Sequence, residues 1–138
     1  RDCFNFPENI YNVHSGTMCK GMGEVVGTVT GHIRLAEDGK ADGSFVCTTD
    51  YQPVTHVVLQ TGRWTRKDDN TAEIELFCFP PGSENFIPAD AVWSVSGQVA
   101  KSPDPAAGFV SCLLLDPDKD LIKLILEPLC RVSSSSQS

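Results

Sequence analysis

Thr30-Gly31-His32-Ile33 returns twice along the chain, as Thr61-Gly62-Arg63-Trp64 and as Ser96-Gly97-Gln98-Val99. Each stretch has a hydroxyl residue, a glycine, a polar residue and then a large apolar residue. The distance from this glycine to the next cysteine is 16, 16 and 15 residues in the three copies. Similarity that recurs at a nearly constant spacing predicts three copies of one structural unit.

Each copy has the pattern of a β-hairpin. Residues 25 to 34 alternate between apolar or small side chains and polar ones, which is the period of a strand with one buried face. The middle of each copy is a turn rich in aspartate: Glu37-Asp38-Gly39, Asp68-Asp69-Asn70 and Ser102-Pro103-Asp104-Pro105. A glycine at the same place in every hairpin indicates a bend, which is how a sheet is curved into a barrel.

The remaining sequence extends this pattern to an all-β fold. A further strand is predicted over Leu121 to Leu126, and Pro117 interrupts the nearest helix-like stretch. Three repeated hairpins and this strand predict an antiparallel up-and-down barrel of about seven or eight strands. We expect one disulfide-braced domain over 1–132, in which 1–22 form an N-terminal lid, 23–127 the barrel and 128–132 its closure. The serine-rich residues 133–138 are predicted to be a disordered tail.

Six cysteines are spread through the chain without a CxxC pair. An even number in a small domain, with no metal-binding spacing, predicts three disulfides and an oxidising compartment. The cysteines are Cys3, Cys19, Cys47, Cys78, Cys112 and Cys130.

The repeat limits how these cysteines can pair. Cys47, Cys78 and Cys112 would end equivalent strands, and alternate strands lie about 9.5 Å apart, beyond the span of a disulfide. We therefore expect each of them to bond to one of Cys3, Cys19 and Cys130. All three bonds would lie at the barrel rim opposite the acidic turns, and would fasten the N-terminal segment over that rim as a lid.

Charge and processing signals narrow the functional classes. The net charge of −7, without a run of Lys or Arg, argues against nucleic acid and anionic membrane surfaces as partners. No apolar stretch is long enough to span a membrane. The chain begins at Arg1 without a hydrophobic leader, which we interpret as a mature secreted form whose signal peptide has been removed.

Aromatic side chains are the first candidates for a ligand site. Trp93 shares the phase of the inward apolar residues around it, and Phe45, Trp64 and Tyr51 lie in or beside predicted strands. In a barrel of about eight strands, these four side chains could line a cavity that holds one small apolar molecule.

Polar side chains give a second, catalytic possibility. His32, Arg34, His56 and Arg63 would form a cluster able to polarise a ligand if their strand phase faced a cavity. The alternation favours the opposite, with these side chains pointing to water. No metal or cofactor is expected, because the calcium-like run after Asp116 lacks the glycine that such a loop needs at its sixth position.

The inferred shape resembles the barrels of lipocalins and of the allene-oxide-cyclase type. Gly62-Arg63-Trp64 has the G-x-W form found on the first strand of lipocalins, although here it lies in the second hairpin. The resemblance concerns architecture, and it assigns no role to any residue.

Three functional hypotheses follow. The first is a secreted barrel that holds a small hydrophobic ligand. The second is a secreted protein-binding module, such as an inhibitor, effector or defence factor, that acts through surface loops, foremost the long connection over 79–91. The third is a cofactor-independent isomerase or cyclase that uses His32, Arg34 or His56 to move a proton.

Overall fold

The computed structural model describes residues 6–21, 23–49, 52–79, 93–102, 108–117 and 119–129. Within them there are eight antiparallel strands in chain order and no helix. Each strand pairs with the next, and the first pairs with the last, so that the sheet closes into a barrel. The strands are β1 Asn9–Lys20, β2 Glu24–Leu35, β3 Lys40–Thr49, β4 Gln52–Arg66, β5 Thr71–Phe79, β6 Trp93–Lys101, β7 Val110–Leu115 and β8 Leu121–Pro128. The predicted all-β, up-and-down barrel is confirmed.

Alternation along the strands separates the core from the surface. On β7, Val110, Cys112 and Leu114 are buried and the residues between them are exposed. The same alternation on β8 buries Ile122 and Leu124. No polar or charged side chain is buried in the described part of the chain. The interior is therefore an apolar core that the inward phase of successive strands builds together.

The three predicted hairpins correspond to β2–β3, β4–β5 and β6–β7. Their aspartates act as turn formers where the turn is described. The Asp68 carboxylate accepts hydrogen bonds from the backbone N–H groups of Asn70 and Thr71, at 2.8 and 2.9 Å. These bonds stabilise the charged form and lower the pKa of Asp68. Gly39 supplies the positive φ of 84° that the first turn requires.

The repeat glycines mark places where two strands approach closely. A Cβ atom on Gly31 would overlap the carbonyl oxygen of Ser44, and one on Gly62 would overlap that of Glu75. Gly97 stands in the same relation to Leu113. In every case the obstructing atom belongs to the backbone of the next strand, which explains why each hairpin has glycine at this place.

The third cysteine of the repeat does not lie at the level of the other two. Cys47 and Cys78 each stand seven residues after the first residue of their strands, whereas Cys112 stands two after Val110. Both Cys112 and Ala72 pair with Val99, so Cys112 lies well away from the level of Cys78. The reason is the connection over 102–109, which is longer than the turns of the first two hairpins. The expectation that all three cysteines share one rim is wrong.

The three predicted disulfides are not supported. Cys19, Cys47 and Cys112 are free, and no two described cysteines lie at disulfide distance. Cys112 is fully buried between Val99 and Leu124, where its thiol packs as a small apolar group. Cys3 and Cys130, and the side chain of Cys78, lie outside the described residues. The oxidising compartment and secretion therefore stay predictions.

Alkylation should distinguish free thiols from disulfides. After unfolding without a reducing agent, we expect Cys19, Cys47 and Cys112 each to react fully with iodoacetamide, as found by peptide mapping. In the native protein Cys112 should be protected, because it is inaccessible and its burial raises its pKa to about 12, which removes the reactive thiolate at neutral pH. A prereduced sample is the control. A peptide linked through any of these three cysteines would contradict the structure.

Phe6 and Pro7, the first described residues of the predicted lid, lie at the opposite end of the barrel from the one expected. We call the end that carries the turns over 36–39 and 67–70 the tip end. Phe6 and Pro7 are buried there: the Tyr11 hydroxyl donates to the Pro7 carbonyl at 2.6 Å, and the Lys101 amine lies 6.0 Å from the Phe6 ring. Lys101 is hydrogen-bonded to Asn70 in a tip turn.

Most of the predicted lid belongs to the barrel itself. Residues 9–20, assigned to the lid by the sequence, form β1 instead and close the barrel between β2 and β8. Burial raises the pKa of Tyr11, so its hydroxyl keeps the proton that it donates to Pro7.

Candidate functional site

The interior of the barrel is filled where its side chains are described. Phe45, expected to line a cavity, has an exposed fraction of 3% and belongs to the core cluster with Leu76 and Leu124. The described core side chains expose only 0 to 5% of their surface and form one packed cluster. A ligand at this level would have to displace packed side chains, which is costly in an interior of protein density.

Trp64 has a structural role at the tip end. Its indole N–H donates a 2.7 Å hydrogen bond to the Ala36 carbonyl, and its ring packs against the core. The bond ties β4 to the turn between β2 and β3. Tyr51 lies outside the described residues, as do the side chains of Trp93 and His56, so their predicted roles stay predictions.

The predicted polar cluster is spread over the outer surface. His32 and Arg34 are exposed on the outer face of β2. Arg34 donates to Asp42 on β3 at 2.7 Å, and this bond raises the pKa of the guanidinium. Arg63 pairs with Glu75 on β5 at 3.1 Å. The two arginines therefore meet carboxylates on the neighbouring strand.

A concavity lies on the outside of the barrel, and we call it the outer groove. Its volume is about 700 Å³. It crosses β4 to β8, and its floor is β6, whose outward side chains are short or uncharged: Ser96, Gln98 and Ala100. Sequence reasoning missed this site because outward positions were taken as solvent-facing.

Strand register arranges the side chains of the outer groove in rows across the sheet. One row runs from Glu75 over Ser96 to Leu115, and the next runs from Glu73 over Gln98 to Leu113. The β5 wall is therefore acidic and the β7 wall is apolar. Leu113 and Leu115 are 49% and 36% exposed, so the apolar wall is available to a partner.

Basic side chains of the same chain already contact the acidic wall. Arg63 pairs with Glu75, and the Lys67 amine lies 3.5 Å from the Glu73 carboxylate. All four side chains are at least one-third exposed. Exposed ion pairs contribute little, roughly 0 to 1 kcal/mol. A basic group of a partner can therefore replace Arg63 or Lys67 at low cost.

A smaller pocket of about 190 Å³ lies at the end opposite the tips, beside the turn before β8. Its two carboxylates serve the backbone: Asp116 accepts from the Asp120 N–H at 3.0 Å, and Asp120 accepts from the Gly21 N–H at 2.7 Å. Across the described residues, no three His, Cys, Asp or Glu side chains are placed to hold a metal ion. The aspartate run thus acts as a turn that anchors β1 to β8.

Comparison with models of protein families, with curated proteins and with solved structures found no match to this chain. Among the described residues, no helix is long and apolar enough to cross a membrane.

Proposed function

We propose that this chain is a protein-binding module, and that an extended segment of a partner protein lies in the outer groove. The observation that carries the proposal is the position of the concavity. The described interior is packed with apolar side chains, whereas the outer face of β4 to β8 has a groove of about 700 Å³. A filled barrel with an open outer groove supports recognition at the surface.

The two walls of the outer groove specify the chemistry of the segment. Apolar side chains of the partner would pack on Leu113 and Leu115, and Lys or Arg side chains would meet Glu73 and Glu75. The floor adds hydrogen-bonding groups, since Gln98 both donates and accepts and can bond to a backbone amide. The segment that fits best is amphipathic, with apolar and basic side chains on opposite edges.

The other two hypotheses have less support in the geometry. A small apolar ligand inside the barrel would need to displace Phe45 or its neighbours, which are tightly packed. Catalysis would need His32 and Arg34 to converge on a substrate, but both lie on the outer face and Arg34 is bonded to Asp42. The fold itself is compatible with a ligand-binding barrel.

Selection from a random peptide library on the immobilised protein tests the proposal. We expect enrichment of peptides that combine apolar and basic residues. Affinity for the selected peptides should fall at least about tenfold in Ser96→Trp, because the indole would fill the floor of the outer groove, while the exposed position keeps the fold intact.

The matched control is Thr28→Trp, which places the same side chain on the outer face of β2, far from the outer groove. Isothermal titration calorimetry should give equal affinities for Thr28→Trp and the unmodified protein. Equal affinity for Ser96→Trp would show that the peptides bind elsewhere. Failure to enrich any peptide would reject an extended protein segment as the occupant.

A further inference from the structure

The outward side chains of β8 form a row that is complementary to itself. In order they are Leu121, Lys123, Ile125 and Glu127, and Leu129 continues the row just after the strand. The row reads apolar, basic, apolar, acidic, apolar. Read in the opposite direction, the row has apolar residues at the same positions, and the basic and acidic residues exchange places. We propose that a second copy of this chain packs against the β8 row, related to the first by a twofold axis that passes Ile125.

Such an axis lies between the two barrels and perpendicular to β8, so the two strands stack in opposite directions. Lys123 of each copy then faces Glu127 of the other, and Ile125 faces its own counterpart. Leu121 meets Leu129 at both ends. A twofold interface uses the same patch on both subunits, and this row satisfies that condition in its charges as well as in its apolar positions.

Because the barrel is closed, a single row of side chains forms most of the contact between the two copies. A closed barrel is round in cross-section on the scale of the whole molecule, so two barrels meet along a narrow strip. The strip from Leu121 to Leu129 is about 27 Å long at the usual rise of a strand. An interface of this shape is small, and we expect a weak, reversible dimer rather than an obligate one.

Neighbouring strands widen the strip at both apolar ends. Ile10, which is 41% exposed, adjoins Leu129 through a 2.8 Å hydrogen bond between their backbones. Leu115 pairs with Leu121 and is 36% exposed. Ile125 and Leu129 are themselves 37% and 59% exposed. Such a concentration of exposed apolar side chains on adjacent strands is typical of an interaction surface.

The distribution of charge favours a second copy over an unrelated partner. The chain carries a net charge of −7, so two copies repel each other unless the contact is locally neutral. The β8 row carries one positive and one negative side chain, and the proposed axis brings each beside its opposite. A carboxylate accepts several hydrogen bonds, so Glu127 can bond to Lys123 of the second copy without losing contacts in its own chain.

Exchange of the two charges gives the decisive experiment. Within one chain, Lys123 and Glu127 are four residues apart on a strand, about 13 Å, which is too far for direct contact. We expect Lys123→Glu and Glu127→Lys each to weaken dimerisation at least about tenfold, because like charges then face each other. The double variant K123E/E127K should restore it, since the exchanged row is again self-complementary.

Sedimentation velocity from about 10 μM to about 1 mM measures the dimer in each variant. Lys40→Glu is the control, because it makes the same change of charge at an exposed site on β3. It should leave the dimer constant unchanged, and equal urea midpoints would show that all variants are folded. A monomeric wild-type protein at the highest concentration would overturn the proposal. A double variant as weak as the single ones would do the same.

Discussion

Replacement of Leu114 by alanine is expected to lower the free energy of unfolding by about 3 kcal/mol. Leu114 has no exposed surface and lies in the core cluster on β7. Shortening it removes buried methyl groups and leaves a cavity that rigid strands on both sides cannot fill. Urea denaturation followed by tryptophan fluorescence measures the loss.

Leu113→Ala is the matched control, because it makes the same chemical change one residue away on the outer face. Leu113 is 49% exposed, so its truncation should cost below about 1 kcal/mol. Comparable losses in the two variants would show that β7 is not oriented with Leu114 inward. The comparison also separates Leu114, which stabilises the fold, from Leu113, which forms part of the apolar wall of the outer groove.

Local sequence signals were enough to predict most of the barrel. On β2, Val29 and Ile33 are buried and Thr30 and His32 are exposed, as the period of two requires. The turns could be predicted because the Asp68 carboxylate bonds to backbone N–H groups two and three residues later and Gly39 supplies a positive φ, and neither needs a distant partner. Hairpins are local structures, and a meander of hairpins adds only one distant contact, the pairing of β1 with β8.

The predictions that were wrong depend on geometry that the spacing of residues along the chain does not encode. Irregularities in β1, between Asn12 and Thr17 and again between Met18 and Cys19, break its alternation and hide it as a strand. Cys112 follows Gly97 at nearly the same spacing as in the other two copies. The connection before β7 is longer, however, so Cys112 lies near the start of its strand rather than near the end. The three disulfides were expected because the repeat cysteines were assumed to share one rim of the barrel, and because the number of cysteines is even.

The outer groove could not be found from separate strands either. Its rows combine residues far apart in sequence, such as Glu73 with Leu113, which only the register of β5, β6 and β7 brings together. One signal was available in the sequence: β7 carries leucine on both of its phases, whereas the outward phase of β2 is polar from Thr28 to Arg34. A strand that is apolar on both phases is typical of one covered on both faces.

Gly97→Ala should be nearly as damaging as the loss of a core leucine. A Cβ atom at this position would lie 2.8 Å from the carbonyl carbon of Leu113 and would overlap its oxygen. Because the obstacle is backbone, no side-chain rotation can relieve it, and β6 must move away from β7. We expect a loss of about 2–3 kcal/mol in the free energy of unfolding, measured by urea denaturation.

The control is Gly23→Ala, where the added methyl group would meet no atom within 4 Å. Its effect should lie within about 0.5 kcal/mol of zero, or be slightly stabilising, because alanine restricts the unfolded chain more than glycine does. Equal effects at the two sites would mean that Gly97 is not held against Leu113. The close approach of β6 and β7 draws the floor of the outer groove toward its apolar wall. The difference in free energy of unfolding between the two variants measures how far this approach depends on the absence of a side chain at Gly97.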